Sequence, residues 1–326
     1  MKKKIRKDLR AAFGGRGWRP RNMSLQQELG SIWAACGITT EWAPLKSVLL
    51  HRPGLELQAF TDPDAVQMLA PLDVLRAQNQ HDALADTYRR LGVAVHDLDA
   101  PETSFPNQMF MADLFFATPQ GMILARPASE VRAGEERHAA RKLAAMGIPL
   151  VRSISGAATF EGADAMWLNE REVMIGRGLR TNAQGATQVA AVLDEMGVRA
   201  ITIDLPPHAM HLMGLLRIVD RHLAIAWPGR FPEAGLETLQ RARIRVEFIP
   251  DTSEAMNGFA MNVVTIRPKE IVMPAGNPHT RAFFEKLGIR THTVAVDELG
   301  KAAGAIGCLT GVLEREKLSG DDPDYS

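Results

Sequence analysis

Cysteine is scarce in this chain of 326 residues, positive and negative charges cancel, and no long apolar run occurs. The two cysteines, Cys36 and Cys308, lie far apart in the sequence. That argues against a disulfide framework and a paired-thiolate metal site, and points to a reduced, cytoplasmic setting. Lys and Arg number 38, as do Asp and Glu, so a general nucleic-acid binder is not expected. No stretch of about 18 apolar residues exists, so nothing is expected to span a membrane. No glycine-rich phosphate loop follows any predicted strand, which removes an open doubly wound nucleotide-binding sheet.

What is present is ample apolar material, 46% of residues, enough for a core of domain size. The charge is unevenly placed. Residues 1–22 hold nine Lys/Arg against one acid, Asp8. This head lacks periodic apolar positions and reads as a flexible basic tail over 1–30. A mitochondrial-type presequence is the alternative, and no apolar stretch follows to make a secretory signal. The remainder divides into a single domain over 31–318 and a short tail over 319–326.

An internal period runs through that domain. Five segments read as helix end, small residue or turn, then strand, pivoting on Gly92, Gly147, Gly197, Arg243 and Gly288. Glycine suits the left-handed residue just past a helix, and Arg243 is the one departure. Before each of the last four pivots, two apolar runs flank a short polar turn and read as hairpins, each followed by an amphipathic stretch. The unit is strand, strand, helix, strand, with its first copy beginning at Leu45 to Pro53. Repeats of this size cannot bury their own faces and must stack on neighbours. Five closing in a ring give an α/β propeller.

The same period carries chemistry. Asp113, Glu161 with Asp164, His211, Asn262 and Cys308 stand at or near the heads of successive first strands, 48, 50, 51 and 46 residues apart. Equivalent positions in a ring face the axis together, so two carboxylates, an imidazole, an amide and a thiol are expected to converge. Cys308 lies between Gly304, Gly307 and Gly311, which let a ligand approach the backbone. Cys36 reads as a small buried hydrophobe. His208 and His211, with Asp220 and His222 downstream, offer a metal-site alternative. Pro206 and Pro207 oppose the helix it would require, and His208 reads as a loop residue.

With these residues in order, the chain from about Glu41 to Arg315 resembles the guanidino-group modifying enzymes: arginine deiminases, dimethylarginine dimethylaminohydrolases and amidinotransferases. Leu45 to Gly54 looks like that superfamily's first strand. Pro106 to Asp113 is similar to the segment whose acid grips the substrate guanidinium, with Asn107 and Phe110 beside it. Phe160-Glu161-Gly162-Ala163-Asp164 is similar to a Glu-Gly-Gly-Asp signature, and Arg180-Thr181-Asn182, His211-Leu212 and Gly304 to Thr310 complete the set. Departures are Ala112 in place of an arginine, Ala163 and Ala305 in place of glycines, and Met213 where the deiminase and amidinotransferase branches carry an aspartate.

The resemblance implies a five-bladed α/β propeller, the pentein fold, and a metal- and cofactor-free reaction. Cys308 attacks the guanidinium carbon, His211 moves protons, and Glu161 holds His211. Asp113, Asp164, Asn107, Phe110, Arg132, Arg180, Met213 and Asn262 are the expected substrate contacts, with Arg132 and Arg180 receiving a substrate carboxylate. Arg132 also reads as a solvated helix-start charge. The expected partner is a small guanidino compound, a homo-oligomer being allowed. Hydrolysis comes first, amidino transfer to an amine second, and a non-catalytic binding propeller third.

Overall fold

A computed structural model describes residues 9–100 and 105–317. Fifteen strands form five separate three-stranded sheets among the described residues. The first is built from β1 (Leu45–Leu50) and β2 (Ala94–Asp97), and the second from β3 (Phe115–Thr118), β4 (Gly121–Leu124) and β5 (Leu150–Ser153). The third holds β6 (Ala165–Asn169), β7 (Glu172–Arg177) and β8 (Arg199–Asp204). The fourth holds β9 (Leu216–Asp220), β10 (Leu223–Ala226) and β11 (Arg245–Phe248). The fifth holds β12 (Val264–Arg267), β13 (Glu270–Pro274) and β14 (Arg290–Val294), and β15 (Gly311–Arg315) returns to the first sheet.

Within each sheet the first two strands are antiparallel and the third runs parallel to the middle one. A parallel return needs a crossover. Helices Val74–Arg90, Glu136–Ala145, Ala183–Glu195, Glu233–Arg241 and Pro278–Lys286 supply it. The middle strands β4, β10 and β13 are buried at every position, which is why they read as continuous apolar runs rather than alternating ones. The third strands keep exposed residues and lie outermost.

The expected five-bladed α/β propeller is the observed fold, with one difference in how it closes. The first copy has only one strand ahead of its helix. Its antiparallel partner is the C-terminal β15, registered Leu45 with Arg315 and Leu49 with Gly311. Joining the two ends of the domain in one sheet closes the ring.

Closure brings the strand heads together. The turn Met111–Asp113 touches Gly162–Asp164, which touches Leu212–Gly214, while Ile306–Leu309 packs against Met111–Asp113.

The tail boundary needs correction. Residues 1–8 and the C-terminal 319–326 lie outside the described residues. By Ser24 the chain is already folded: its hydroxyl and the Gln27 side chain form a reciprocal cap on Leu25–Glu28. Buried Glu28 pairs with Arg21, so part of the basic charge is structural.

All five pivots adopt the left-handed conformation, with φ of 81°, 76°, 72° and 75° at the glycines and 59° at Arg243. A side chain there is strained by roughly 1 kcal/mol, part of which glycine gives back through its freer unfolded chain. Arg243→Gly is therefore expected to stabilise the protein by roughly 0.5 kcal/mol. Urea unfolding checks this, and a loss of stability would show that Arg243 is held there by its own contacts.

Candidate active site

At the ring centre, each strand head contributes one polar side chain. Glu161, fully buried, accepts a bond from the Ala128 N–H at 3.1 Å, and its Oε2 lies 2.6 Å from His211 Nε2. Arg132 lies across the acids. Its Nη1 donates to Asp113 Oδ2 at 2.7 Å and approaches Glu161 Oε2 at 3.5 Å, while Nε donates to Glu135 Oε2 at 3.0 Å. Asp113, Glu135, Glu161 and Arg132 are each no more than 3% exposed. Charges so deeply buried persist only when paired and hydrogen-bonded.

The pairing sets protonation. Burial alone pushes Glu161 up, but the bond from His211 and the Arg132 charge outweigh it and hold the carboxyl at about 2. Burial alone pushes His211 down; Asp113, Asp164 and Glu161 reverse this and hold it at about 9. Glu135 is pushed up to about 7 by burial, against the pull of Arg132. His211 is therefore an imidazolium at neutral pH and can donate a proton. Cys308 has its thiol raised by burial and by the negative charge of Asp113, partly offset by Asn262 and Arg217, so it rests protonated.

Asn262 clasps the thiol. Its Nδ2 donates to Cys308 Sγ at 3.0 Å, and its Oδ1 accepts from the Cys308 N–H at 3.1 Å. Cys308 lies in the short helical turn Ile306–Leu309, which enters β15. A side chain at Gly307 would stand 2.2 Å from Arg217 Nη2, and one at Gly304 would stand 2.4 Å from the Phe110 ring. Those close approaches explain the glycines flanking the thiol.

Two cavities share Cys308 and His211 in their walls. One is a slot of about 20 Å³, lined also by Asn107, Phe110, Asp113, Arg132 and Arg180. Asp113 Oδ1 is buried there without a hydrogen-bond partner among the described residues, as is Arg180 Nε. An orphan acceptor and an orphan donor in one slot suit a ligand that is cationic at one place and anionic at another. The other cavity, about 210 Å³, is lined by Met213, Asn262 and mostly apolar residues.

The expected site residues thus divide. Cys308, His211, Asp113, Asn107, Phe110, Arg132 and Arg180 line the slot; Met213 and Asn262 line the wider cavity with the same thiol and imidazole. Glu161 lies behind His211 as its partner. Asp164 corrects the expectation of substrate contact, since it lines neither cavity. Its carboxylate accepts from the Thr181 hydroxyl at 2.7 Å and from the Leu212 N–H at 2.9 Å, which fixes the backbone just after His211. Arg132 is no solvated charge, and its bonds to the acids compete with receiving a substrate carboxylate. Asn107 donates to the Val66 carbonyl at 2.9 Å.

Asp113, Glu161 and His211 could by distance surround a metal ion. Arg132 already supplies a cation to Asp113 and Glu161, and His211 carries a proton. His208 does not join them. Its left-handed backbone, φ 67°, places it on a turn beside the wider cavity. Cys36 is buried and inert, its thiol pushed up to about 11 by burial.

Three residues were given no individual role from the sequence. Glu135 partners Arg132, and Thr181 bridges to Asp164. Arg217 in β9 donates from Nε to the Met261 carbonyl at 3.0 Å and leaves Nη2 buried beneath the Gly307 turn. An arginine between Leu216 and Ile218, at a buried position of the strand, was the available signal.

Fold and site together define the class: α/β propellers that gather carboxylates, a histidine and a thiol where their blades meet. Within it, the sequence profile of N,N dimethylarginine dimethylhydrolase, eukaryotic, matches residues 72–313. The chain belongs to that family. It is 28% identical over 238 residues to N(G),N(G)-dimethylarginine dimethylaminohydrolase of Pseudomonas aeruginosa, covering 73% of this chain and 89% of that one. It is 30% identical over 247 residues to the enzyme of the same name from Mycobacterium tuberculosis, covering 75% and 78%. A crystal structure of dimethylarginine dimethylaminohydrolase in adduct with S-methyl-L-thiocitrulline superposes with a TM-score of 0.70 at 25% identity, over 83% of this chain and all of that one.

The raised His211 carries a sign. Its protonated form is favoured by folding, so its contribution is full below about 6.5 and is lost as pH rises through about 9. Glu161→Gln removes one of the charges that hold it up. Unfolding free energy measured from pH 6 to 9.5 is expected to fall with pH in the wild type and to fall less in the variant. Identical slopes would contradict the assignment.

Proposed function

We propose that this protein hydrolyses an N-substituted guanidino acid through a covalent bond to Cys308. The observation that carries the reading is the slot's pair of orphan atoms, Asp113 Oδ1 and Arg180 Nε, beside a thiol. A guanidinium satisfies the first and a carboxylate the second. The family relatives act, by name, on a dimethylated arginine, and the related adduct is with an amino acid of that shape.

Asp113 orients the guanidinium so that its carbon faces Cys308. The bound cation favours the thiolate, the nucleophilic form, against the burial and acidic charge that suppress it at rest. With His211 already protonated, the thiol proton leaves to water. The thiolate bonds to the guanidinium carbon. The C–N bond then breaks, its electron pair staying on the nitrogen that receives the His211 proton, and a neutral amine departs. The neutral imidazole next takes a proton from water as the water oxygen bonds to the same carbon. Breaking the C–S bond returns the thiolate, and loss of the remaining hydroxyl proton to water leaves a ureido acid. Glu161 stabilises the imidazolium in both half-reactions. Asn262 holds the sulfur, a positioning part rather than the substrate contact expected from the sequence.

Met213 decides between substituted and unsubstituted guanidines. A thioether accepts hydrogen bonds very weakly, so N–H donors facing it would lose their solvation without a partner, at about 1–3 kcal/mol each. An alkylated nitrogen has fewer donors and apolar surface to offer. Release of amine and ureido acid is therefore expected from Nω-methylated arginines, with kcat/KM above that for arginine itself. Arginine outrunning every alkylated analogue would overturn the preference.

Cys308→Ala is expected to reduce turnover below about a thousandth while the substrate still raises the melting temperature. His211→Gln is expected to cost about 10²–10⁴ in rate, and His208→Gln far less. Equal losses in the two histidine variants, or inactivation by chelators, would favour a metal site. Formation of amidinated amine in place of ureido acid when amines are added would identify a transferase.

A further inference from the structure

The two cavities at Cys308 differ in size and in chemistry. The slot has about 20 Å³ and is walled by Asp113, Arg132 and Arg180. The neighbouring cavity has about 210 Å³. Beyond the shared thiol and imidazole and Asn262, its wall includes Met210, Met213, Met256, Met261, Trp227 and Phe259. No carboxylate lines it among the described residues. The charged group at its edge, Arg230, is engaged, stacked over the Trp227 ring at 4.7 Å and donating to the His208 carbonyl at 3.1 Å.

Size decides what such a space is suited to. An apolar cavity of about 150 Å³ stays dry and takes up benzene, so this one exceeds what two methyl groups need. Its composition decides the rest. Methionine side chains are unbranched and polarizable, and a wall built from four of them adapts to differently shaped apolar guests. Met210 and Met256 are exposed at the surface, so the cavity opens outward and a long substituent is not blocked at its far end.

The geometry points to a substrate whose departing nitrogen carries an apolar group larger than two methyls, an alkyl chain of several carbons or an aromatic ring, seated in the methionine-walled cavity. This rests on the proposed attack by Cys308 on a guanidinium carbon held at the junction of the two spaces. The unsubstituted nitrogens, rich in donors, stay with Asp113. The substituted nitrogen, poor in donors, turns toward Met213. His211 lines both spaces, so its proton reaches the departing nitrogen, the C–N bond breaks as before, and the product is a bulky neutral amine.

The test is a ladder of arginines bearing methyl, dimethyl, butyl or benzyl on the terminal nitrogen, turned over by the full chain with the common ureido product as readout. Burial of each further methylene is worth about fourfold, so kcat/KM for the butyl and benzyl compounds should exceed that for the dimethyl compound by tenfold or more. Met213→Trp, which fills the cavity, should erase that advantage. Turnover of the methyl and dimethyl compounds with the larger ones equal or slower would overturn this inference and leave the proposed function standing. An advantage for benzyl that survives in Met213→Trp would overturn the placement in this cavity. Absence of ureido product from the whole ladder would instead sink the underlying hydrolase reading.

Discussion

The bond between His211 and Glu161 is the constraint on which the rest of the site depends. Four carboxylates, Asp113, Glu135, Glu161 and Asp164, are buried at the ring centre, a concentration of negative charge that a low-dielectric interior does not tolerate unaided. Three cations answer it. Arg132 reaches Asp113, Glu135 and Glu161, Arg180 reaches Glu161, and the proton on His211 supplies the third charge. Glu161, which burial alone would push up, is thereby kept ionised. Asp113, Asp164 and Glu161 in turn keep His211 charged, the state the proposed reaction needs for protonating a departing amine. Electrostatics that cost folding free energy on burial are the ones the proposed chemistry uses.

Ring architecture makes this cluster affordable to a modest chain. Each blade presents one short turn at the head of its first strand, so five polar groups converge without any long loop. Asp164 shows how the blades are locked to one another: from the third sheet it holds the backbone of the fourth through the Leu212 N–H. Asn262 does the same between the fifth sheet and the returning strand, gripping Cys308 from both its amide atoms. Because β15 completes the first sheet, the position of Cys308 depends directly on closure of the ring.

Much of this was legible in the sequence because it was periodic. Pivots recurring about every fifty residues revealed the blades, and reactive residues on the same period revealed the heads. Arg243 broke the glycine pattern yet kept its conformation, since tertiary context overrides a local preference of about 1 kcal/mol. Pairings without a local pattern were not legible. Nothing around Leu45 indicates that its partner is Arg315, and the spacing of Asp164 from its neighbours does not say that its carboxylate faces a backbone amide. The charge of Arg132 was visible; that it lies across three acids follows only once the turns meet. Met213 was visible as a departure from relatives, but the cavity beside it was not.

In the proposed reaction Cys308 carries the substrate's amidino carbon. The most direct measurement is acid quenching during turnover of an Nω-methylated arginine, followed by mass mapping of peptides. A transient increment is expected on the peptide containing Cys308, equal to the substrate less its amine, that forms and decays at the rate of turnover. Sustained turnover with Cys308 never modified, or an increment on Cys36 instead, would contradict it.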